Sequence, residues 1–175
     1  MLKMVKDIDD YIDTTRQQAS TISNLHVNII TTLADIVESR DETTGFHVKR
    51  TAEYCALIAR ELMESGHYTD EITDDYIDIL TIAAPLHDIG QIKIPDAILN
   101  KPGKLTDEEY DIVKRHPIEG YQLLKNLPLN EHIKNACLFH HERHDGEGYP
   151  FGLTGNKISP FTEIVAIADV YDAMT

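Results

Sequence analysis

Five histidines and two aspartates in this chain stand where they could bind metal. His87-Asp88 closes an apolar run in Ala-Pro-Leu-His-Asp-Ile-Gly-Gln-Ile-Lys-Ile-Pro and is followed at once by glycine-bearing turn sequence. The pair offers a neutral nitrogen ligand and an anionic oxygen ligand from consecutive positions, which suits a divalent cation. Alone, it would look the same as a core histidine salt-bridged to aspartate. Its weight comes from the set. His47, His116 and the pair His140-His141 also fall at predicted helix ends that a bundle can bring together, and the acidic Asp169 lies on the last helix. These side chains are enough for two ions. His26, His67, His132 and His144 have no such placement and read as solvated or capping residues.

The elements that must position them are helices. Residues 1 to about 40 carry Met4, Ile8, Tyr11, Thr15, Gln18, Ile22, Leu25, Ile29, Thr32 and Ile36 in alternating steps of four and three, with no glycine or proline. That spacing predicts a long helix with a heptad seam, whose polar Thr15, Gln18 and Thr32 could set register. The seam fits a parallel two-stranded stalk to a partner subunit; an amphipathic helix packed on its own domain would carry the same stripe. Residues 40–46, Arg-Asp-Glu-Thr-Thr-Gly-Phe, break it. A second helix is expected from about His47 to Ser65, stopped by Gly66. A third runs from about Thr73 to His87, apolar enough for burial nearly all round, with His87 and Asp88 in its last turn.

Pro95 starts a short helix, and Thr106-Asp-Glu-Glu109 is a capping box opening another that ends near His116-Pro117. Further helices are expected over about 118–126, from Asn130 to His140-His141, and from Ser159-Pro160 onward. Between the last two lies a loop holding Gly146, Gly148, Gly152 and Gly155. No strand alternation persists, so the fold class is all-α.

The 175 residues, 42% hydrophobic, suffice for one domain with a core plus an appendage, here residues 1–32 as stalk and 33–175 as the domain. A formal charge of −14 argues against duplex nucleic acid or anionic lipid as a partner. An anionic substrate would need a local reversal of that field, which bound divalent cations supply. Cys55 and Cys137 sit in apolar helical surroundings and read as buried thiols. No apolar run approaches the roughly 20 residues of a membrane span, and no signal-peptide pattern opens the chain, so a cytoplasmic location is expected.

The ordered series His87-Asp88-Ile-Gly, His116-Pro, His140-His141-Glu-Arg-His-Asp-Gly-Glu-Gly-Tyr-Pro150 and Ala168-Asp169-Val-Tyr-Asp-Ala-Met-Thr175 resembles the HD-GYP family of HD-domain phosphohydrolases over about residues 33–175. The resemblance implies an HD-domain helical bundle and a phosphodiesterase that opens cyclic di-GMP to the linear dinucleotide and on to GMP. It also implies an upstream sensory or partner signalling domain, with a homodimer through the N-terminal helix as one use of the stalk. Carried over by residue, one metal would be held by His47, His87, Asp88 and Asp169, and the second by His116, His140 and His141 with Asp88 bridging. A bridging hydroxide would then attack phosphorus, leaving His87, Asp88 and Gln91 as the catalytic group. The chemistry of the donors agrees: imidazoles with a bridging carboxylate suit iron or manganese, and also accommodate zinc, nickel or magnesium. Two ions about 3.5–4 Å apart can clamp both oxygens of an in-line displacement. Gln91, Lys93, Arg143, Gly148, Tyr149 and Pro150 are the expected substrate contacts, although packing of Tyr149 under its own loop and a surface role for Lys93 fit equally simple patterns.

Three departures from the family bear on this. Gln91 stands where members commonly carry a lysine that meets the substrate phosphate, which removes a charge that would stabilise the transition state. The position four before His47, a glutamate in three-metal members, is Thr43 here, with Glu42 one residue further; two metals are therefore expected. The sequence reaches Thr175 without the family's Arg-Pro-Tyr segment. The competing readings are a metal-bound nucleotide- or protein-binding signalling module with little or no turnover, and a hydrolase for another cyclic dinucleotide.

Overall fold

The computed structural model describes residues 2–40, 47–68 and 70–175, apart from the side chains of residues 2, 23, 24, 26 and 27. Glu42 and Thr43 therefore lie outside the described residues. Eight α-helices follow one another: α1 (Leu2–Glu38), α2 (His47–Glu64), α3 (Asp74–Leu86), α4 (Asp96–Leu99), α5 (Asp107–Val113), α6 (His116–Leu124), α7 (Glu131–Phe139) and α8 (Pro160–Met174). Short 3-10 turns at Ile89–Lys93 and Gly155–Lys157 complete the described structure, which contains no strand. The all-α reading of the sequence holds.

Local signals account for most helix starts. Thr73 accepts a hydrogen bond from the Tyr76 N–H, and Asp74 and Asp75 place negative charge in the first turn of α3. Thr106 and Glu109 form a reciprocal capping box on α5, Asn130 caps α7 through the His132 N–H, and Ser159 caps α8 through Thr162. One boundary differs from expectation. His116-Pro117 opens α6 instead of closing the helix before it. Proline is favoured in the first helical turn because the N–H it lacks has no intrahelical partner there. Asp88 likewise lies one residue beyond the cap of α3, at the start of the 3-10 turn, and not in the helix.

The core is centred on α3, which packs against α1, α2, α7 and α8. Cys55, Ala59, Leu80, Ala83, Ala84, Ala136, Cys137, Val165 and Ala168 are fully buried. Small side chains at so many of these positions let the helix axes approach closely. Both cysteines are free thiols, and burial raises the pKa of Cys55 to about 12. That makes it a packing residue, not a nucleophile. Among the described side chains of α1, those of its last third join this core, through Ile30, Ala34 and Val37. The helix runs unbroken past residue 32, and its heptad seam faces away: Met4, Ile8, Tyr11, Ile22, Leu25, Ile29 and Ile36 are each at least half exposed. No described helix is long and apolar enough to cross a membrane.

Candidate metal centre

Each candidate histidine is aimed by a local device. His87, His116 and His140 are buried at helix ends. Their Nδ1 atoms face main-chain carbonyls of the preceding turn: Ala84 O at 2.5 Å, Val113 O at 2.8 Å and Cys137 O at 3.0 Å. These acceptors fix a proton on Nδ1 and turn Nε2 inward, the orientation a metal-binding imidazole needs. His47, at the start of α2, is set by a side chain instead. Its Nδ1 lies 2.6 Å from Asp172 Oδ2, while Arg50 donates to both Asp172 oxygens, Nε to Oδ1 at 2.6 Å and Nη2 to Oδ2 at 2.9 Å.

Two glycines bring the helices to the right separation. A Cβ on Gly90 would stand 1.9 Å from the His116 carbonyl oxygen, and one on Gly120 would stand 2.5 Å from Cys137 Sγ. The 3-10 turn and α6 therefore touch nearly backbone to backbone, and α6 seats against the Cys137 side chain of α7, which carries His116 to Asp88 and His140.

The inward atoms form two groups, Asp88 with His116, His140 and His141, and His47 with His87 and Asp169; within each group the ligand atoms lie within 4.8 Å of one another. Asp88 faces both. Its Oδ1 is 3.0 Å from His116 Nε2 and 3.4 Å from His140 Nε2, and its Oδ2 is 3.5 Å from His87 Nε2. Asp169 Oδ1 lies 3.2 Å from His47 Nε2 and 3.5 Å from His87 Nε2. Two ligands each about 2.1 Å from a shared ion at tetrahedral or octahedral angles would be about 3.0–3.4 Å apart, so these spacings match a coordination shell. Polar satisfaction points the same way. His87 Nε2 and Asp88 Oδ1 are buried without an aligned hydrogen bond, and His116 Nε2 faces His140 Nε2 at 3.2 Å. Buried polar atoms of this kind are normally paired, and one cation in each of the two groups would satisfy them. The residues present fit a dinuclear site.

Charge is divided within it. Burial works against the charged form of His87, but Asp88 and Asp169 overcome it and raise its pKa to about 10. Burial dominates on the other side, lowering His140 and pushing His141 to about 2. Burial would raise both carboxyls, yet the neighbouring imidazoles hold Asp88 and Asp169 well below the usual range. The result is a pair of anionic carboxylates with a charged His87 imidazole on one side and the neutral rings of His140 and His141 on the other.

A cavity of about 650 Å³ opens over the centre and is lined by His47, Asp88, Gln91, His116, His141, Tyr149 and Asp169, among others. Beside it a second cavity of about 530 Å³ is lined by Tyr110, Arg143, Gly148, Tyr149, Ile167 and Tyr171. His141 and Tyr149 belong to both walls, with the Tyr149 ring 4.6 Å from that of His141. The other expected substrate contacts are placed less directly. Gln91 donates to Asp88 Oδ2 at 2.5 Å. Arg143 borders the second cavity, where its guanidinium is paired with Asp145, and Lys93 is exposed. Neither cavity is lined by Lys93 or Pro150. His144 lies 3.5 Å from Glu163 and His132 stacks on Phe161, both outside the centre.

Two residues that the sequence reading left without a role matter here. Asp172 orients His47; its signal was the spacing of three from Asp169, which puts both on one face of α8. Buried Glu142 accepts from the Phe151 and Leu153 N–H groups at 2.7 Å each and so folds the glycine-rich loop back over the site. The same loop places Gly148 where a Cβ would meet the Arg143 nitrogen at 2.4 Å.

The profile of the HD domain family matches residues 31–175, and the chain belongs to that family. A cyclic di-GMP phosphodiesterase of Vibrio cholerae is 40% identical over 172 residues, covering 94% of this chain and 34% of the relative. The cyclic di-GMP phosphodiesterase response regulator RpfG of Xanthomonas campestris is 43% identical over 145 residues, covering 81% and 36%. A 3'3'-cGAMP-specific phosphodiesterase 2, also from Vibrio cholerae, is 38% identical over 148 residues, covering 83% and 27%. The chain thus spans about a third of the length of the curated relatives it matches.

Proposed function

We propose that the chain is a metal-dependent phosphodiesterase domain that hydrolyses a cyclic dinucleotide, cyclic di-GMP first, to the linear dinucleotide and on to GMP. The observation that carries this reading is the two-sided placement of Asp88 between the two ligand groups. Asp88, His116, His140 and His141 would hold one divalent ion, and His47, His87 and Asp169 the other, with iron or manganese favoured by the imidazole-rich donors. When bound, the ions supply positive charge to the phosphate oxygens and acidify a water.

That charge is needed because Glu38, Asp88, Asp169 and Asp172 line the cavity against one arginine, Arg50, which is already held by Asp172. A phosphodiester would be repelled from such a cavity without cations. The chain's own side chains do the rest. The carbonyl-anchored histidines hold their Nε2 atoms inward, Gln91 fixes the Asp88 carboxylate, and Tyr149 offers an aromatic face between two cavities sized for the two halves of a dinucleotide. Two relatives bearing the name cyclic di-GMP phosphodiesterase and one named for 3'3'-cGAMP set the substrate panel. Incubation of anaerobically purified, manganese- or iron-loaded chain with both compounds tests the reading; turnover of neither would favour a metal-bound binding module instead.

The exposed seam of α1 fits a second copy in parallel register. Thr15 and Thr32 donate to their own helix at Tyr11 O and Asn28 O, both at 2.8 Å, so their hydroxyls can enter an apolar seam already satisfied. Such a two-stranded stalk would carry a signal from an upstream sensory element. Sedimentation of the chain and of its Ile22→Asp, Ile29→Asp variant checks this: a dimer is expected for the first and a monomer for the second.

A further inference from the structure

Arg40 stands two residues beyond α1, yet its guanidinium is spent entirely on the segment that follows Asp88. Nη1 donates to Gln91 O at 2.9 Å, Nη2 to Ile94 O at 2.8 Å and to Asp96 Oδ1 at 2.6 Å, and Nε to Asp96 Oδ1 at 3.1 Å. The grip is returned: Asn100 Nδ2 donates to the Arg40 carbonyl at 2.9 Å. Five hydrogen bonds therefore tie the end of the long helix to residues 91–100. The residue held by its main chain, Gln91, is the one whose side chain donates to Asp88 Oδ2 at 2.5 Å. Ala34 and Val37, in the last turns of α1, line the cavity over the metal centre.

We infer that Arg40 is a positioning residue that fixes the Gln91 segment, and through the Gln91 amide the Asp88 carboxylate, so that the placement of α1 sets the geometry of the metal centre. The inference rests on the metal-centre reading above. Two features of the planar guanidinium make it suited to this. It binds two carbonyls and a carboxylate in fixed directions, which an ammonium cannot do. It also spans from a helix whose outer seam is exposed to the segment that follows a candidate ligand, so a shift or rotation of α1 reaches Asp88 through two consecutive hydrogen bonds, Arg40 to the Gln91 carbonyl and the Gln91 amide to Asp88.

The test is a double-mutant cycle of Arg40→Met and Gln91→Ala in the 175-residue chain. It is read by Mn²⁺ affinity, by kcat and KM on cyclic di-GMP, and by unfolding midpoint. Arg40→Met is expected to weaken Mn²⁺ binding about tenfold and to lower kcat with little change in KM. In the Gln91→Ala background the same change should alter Mn²⁺ affinity less than twofold, because the link to Asp88 is already cut. Equal effects in both backgrounds, or a lowered unfolding midpoint with unchanged Mn²⁺ affinity, would overturn the inference. If Arg40→Met does not fold, Asp96→Asn loosens the same guanidinium from its exposed side, and the same non-additivity with Gln91→Ala is expected in Mn²⁺ affinity. A wild-type chain that binds Mn²⁺ without hydrolysing cyclic di-GMP would refute the functional reading alone, since the affinity cycle still decides the role of Arg40.

Discussion

Replacing Asp172 by alanine isolates one half of the proposed centre. The carboxylate receives three hydrogen bonds on two oxygens, from His47 Nδ1 at 2.6 Å and from Arg50 Nε and Nη2 at 2.6 and 2.9 Å. Alanine offers no acceptor in their place. His47 then loses its Nδ1 carboxylate partner, which frees the ring to place its proton on Nε2, the atom 3.2 Å from Asp169. Loss of such an outer-shell partner typically costs 10- to 100-fold in metal affinity, or about 1.4–2.7 kcal/mol. The loss should fall on one ion alone, since His116, His140 and His141 have no contact with Asp172 among those described. Mn²⁺ titration of chelator-treated protein, followed by electron paramagnetic resonance, should show one of two binding phases weakened with the other unchanged. Two phases weakened equally, or neither, in a variant that keeps its unfolding midpoint, would refute the orienting role.

Other outcomes follow from close contacts. Gly90→Ala drives a Cβ to 1.9 Å from the His116 carbonyl, a backbone atom, so α6 must move. A loss of about 1–3 kcal/mol or more in thermal unfolding is expected, together with loss of bound metal. Glu142→Gln keeps one acceptor for two main-chain N–H groups; about 1.5–3 kcal/mol of loop anchoring should be lost, seen as faster amide exchange at Phe151 and Leu153 and a raised KM. Gln91→Lys places an ammonium beside Asp88 and the substrate phosphate, and cyclic di-GMP hydrolysis should rise; an unchanged rate would show that the missing charge does not limit turnover.

The helices and the seven candidate ligands were legible because their signals are local: capping residues, apolar periodicity, and histidines at helix ends. What escaped depends on partners far away in the chain or on main-chain atoms. Asp172 meets His47 across 125 positions, and Glu142 and Arg40 act on N–H and carbonyl groups that every residue shares. Direction is also invisible in sequence. Arg143 follows the His140-His141 pair closely, but its side chain turns to Asp145 on the surface. The opening of α6 at His116 is hidden for a local reason: a proline suits both the end of one helix and the first turn of the next, and the sequence alone does not separate the two.

Whether Asp88 joins two ions into one working site is decided by anaerobic titration of Mn²⁺ or Fe²⁺ into chelator-treated chain, with bound ions per chain and cyclic di-GMP hydrolysis read in the same samples. Saturation at two ions per chain is predicted, with hydrolysis rising only as the second binds. Hydrolysis by the metal-free chain, or saturation of both binding and rate at a single ion, would contradict it.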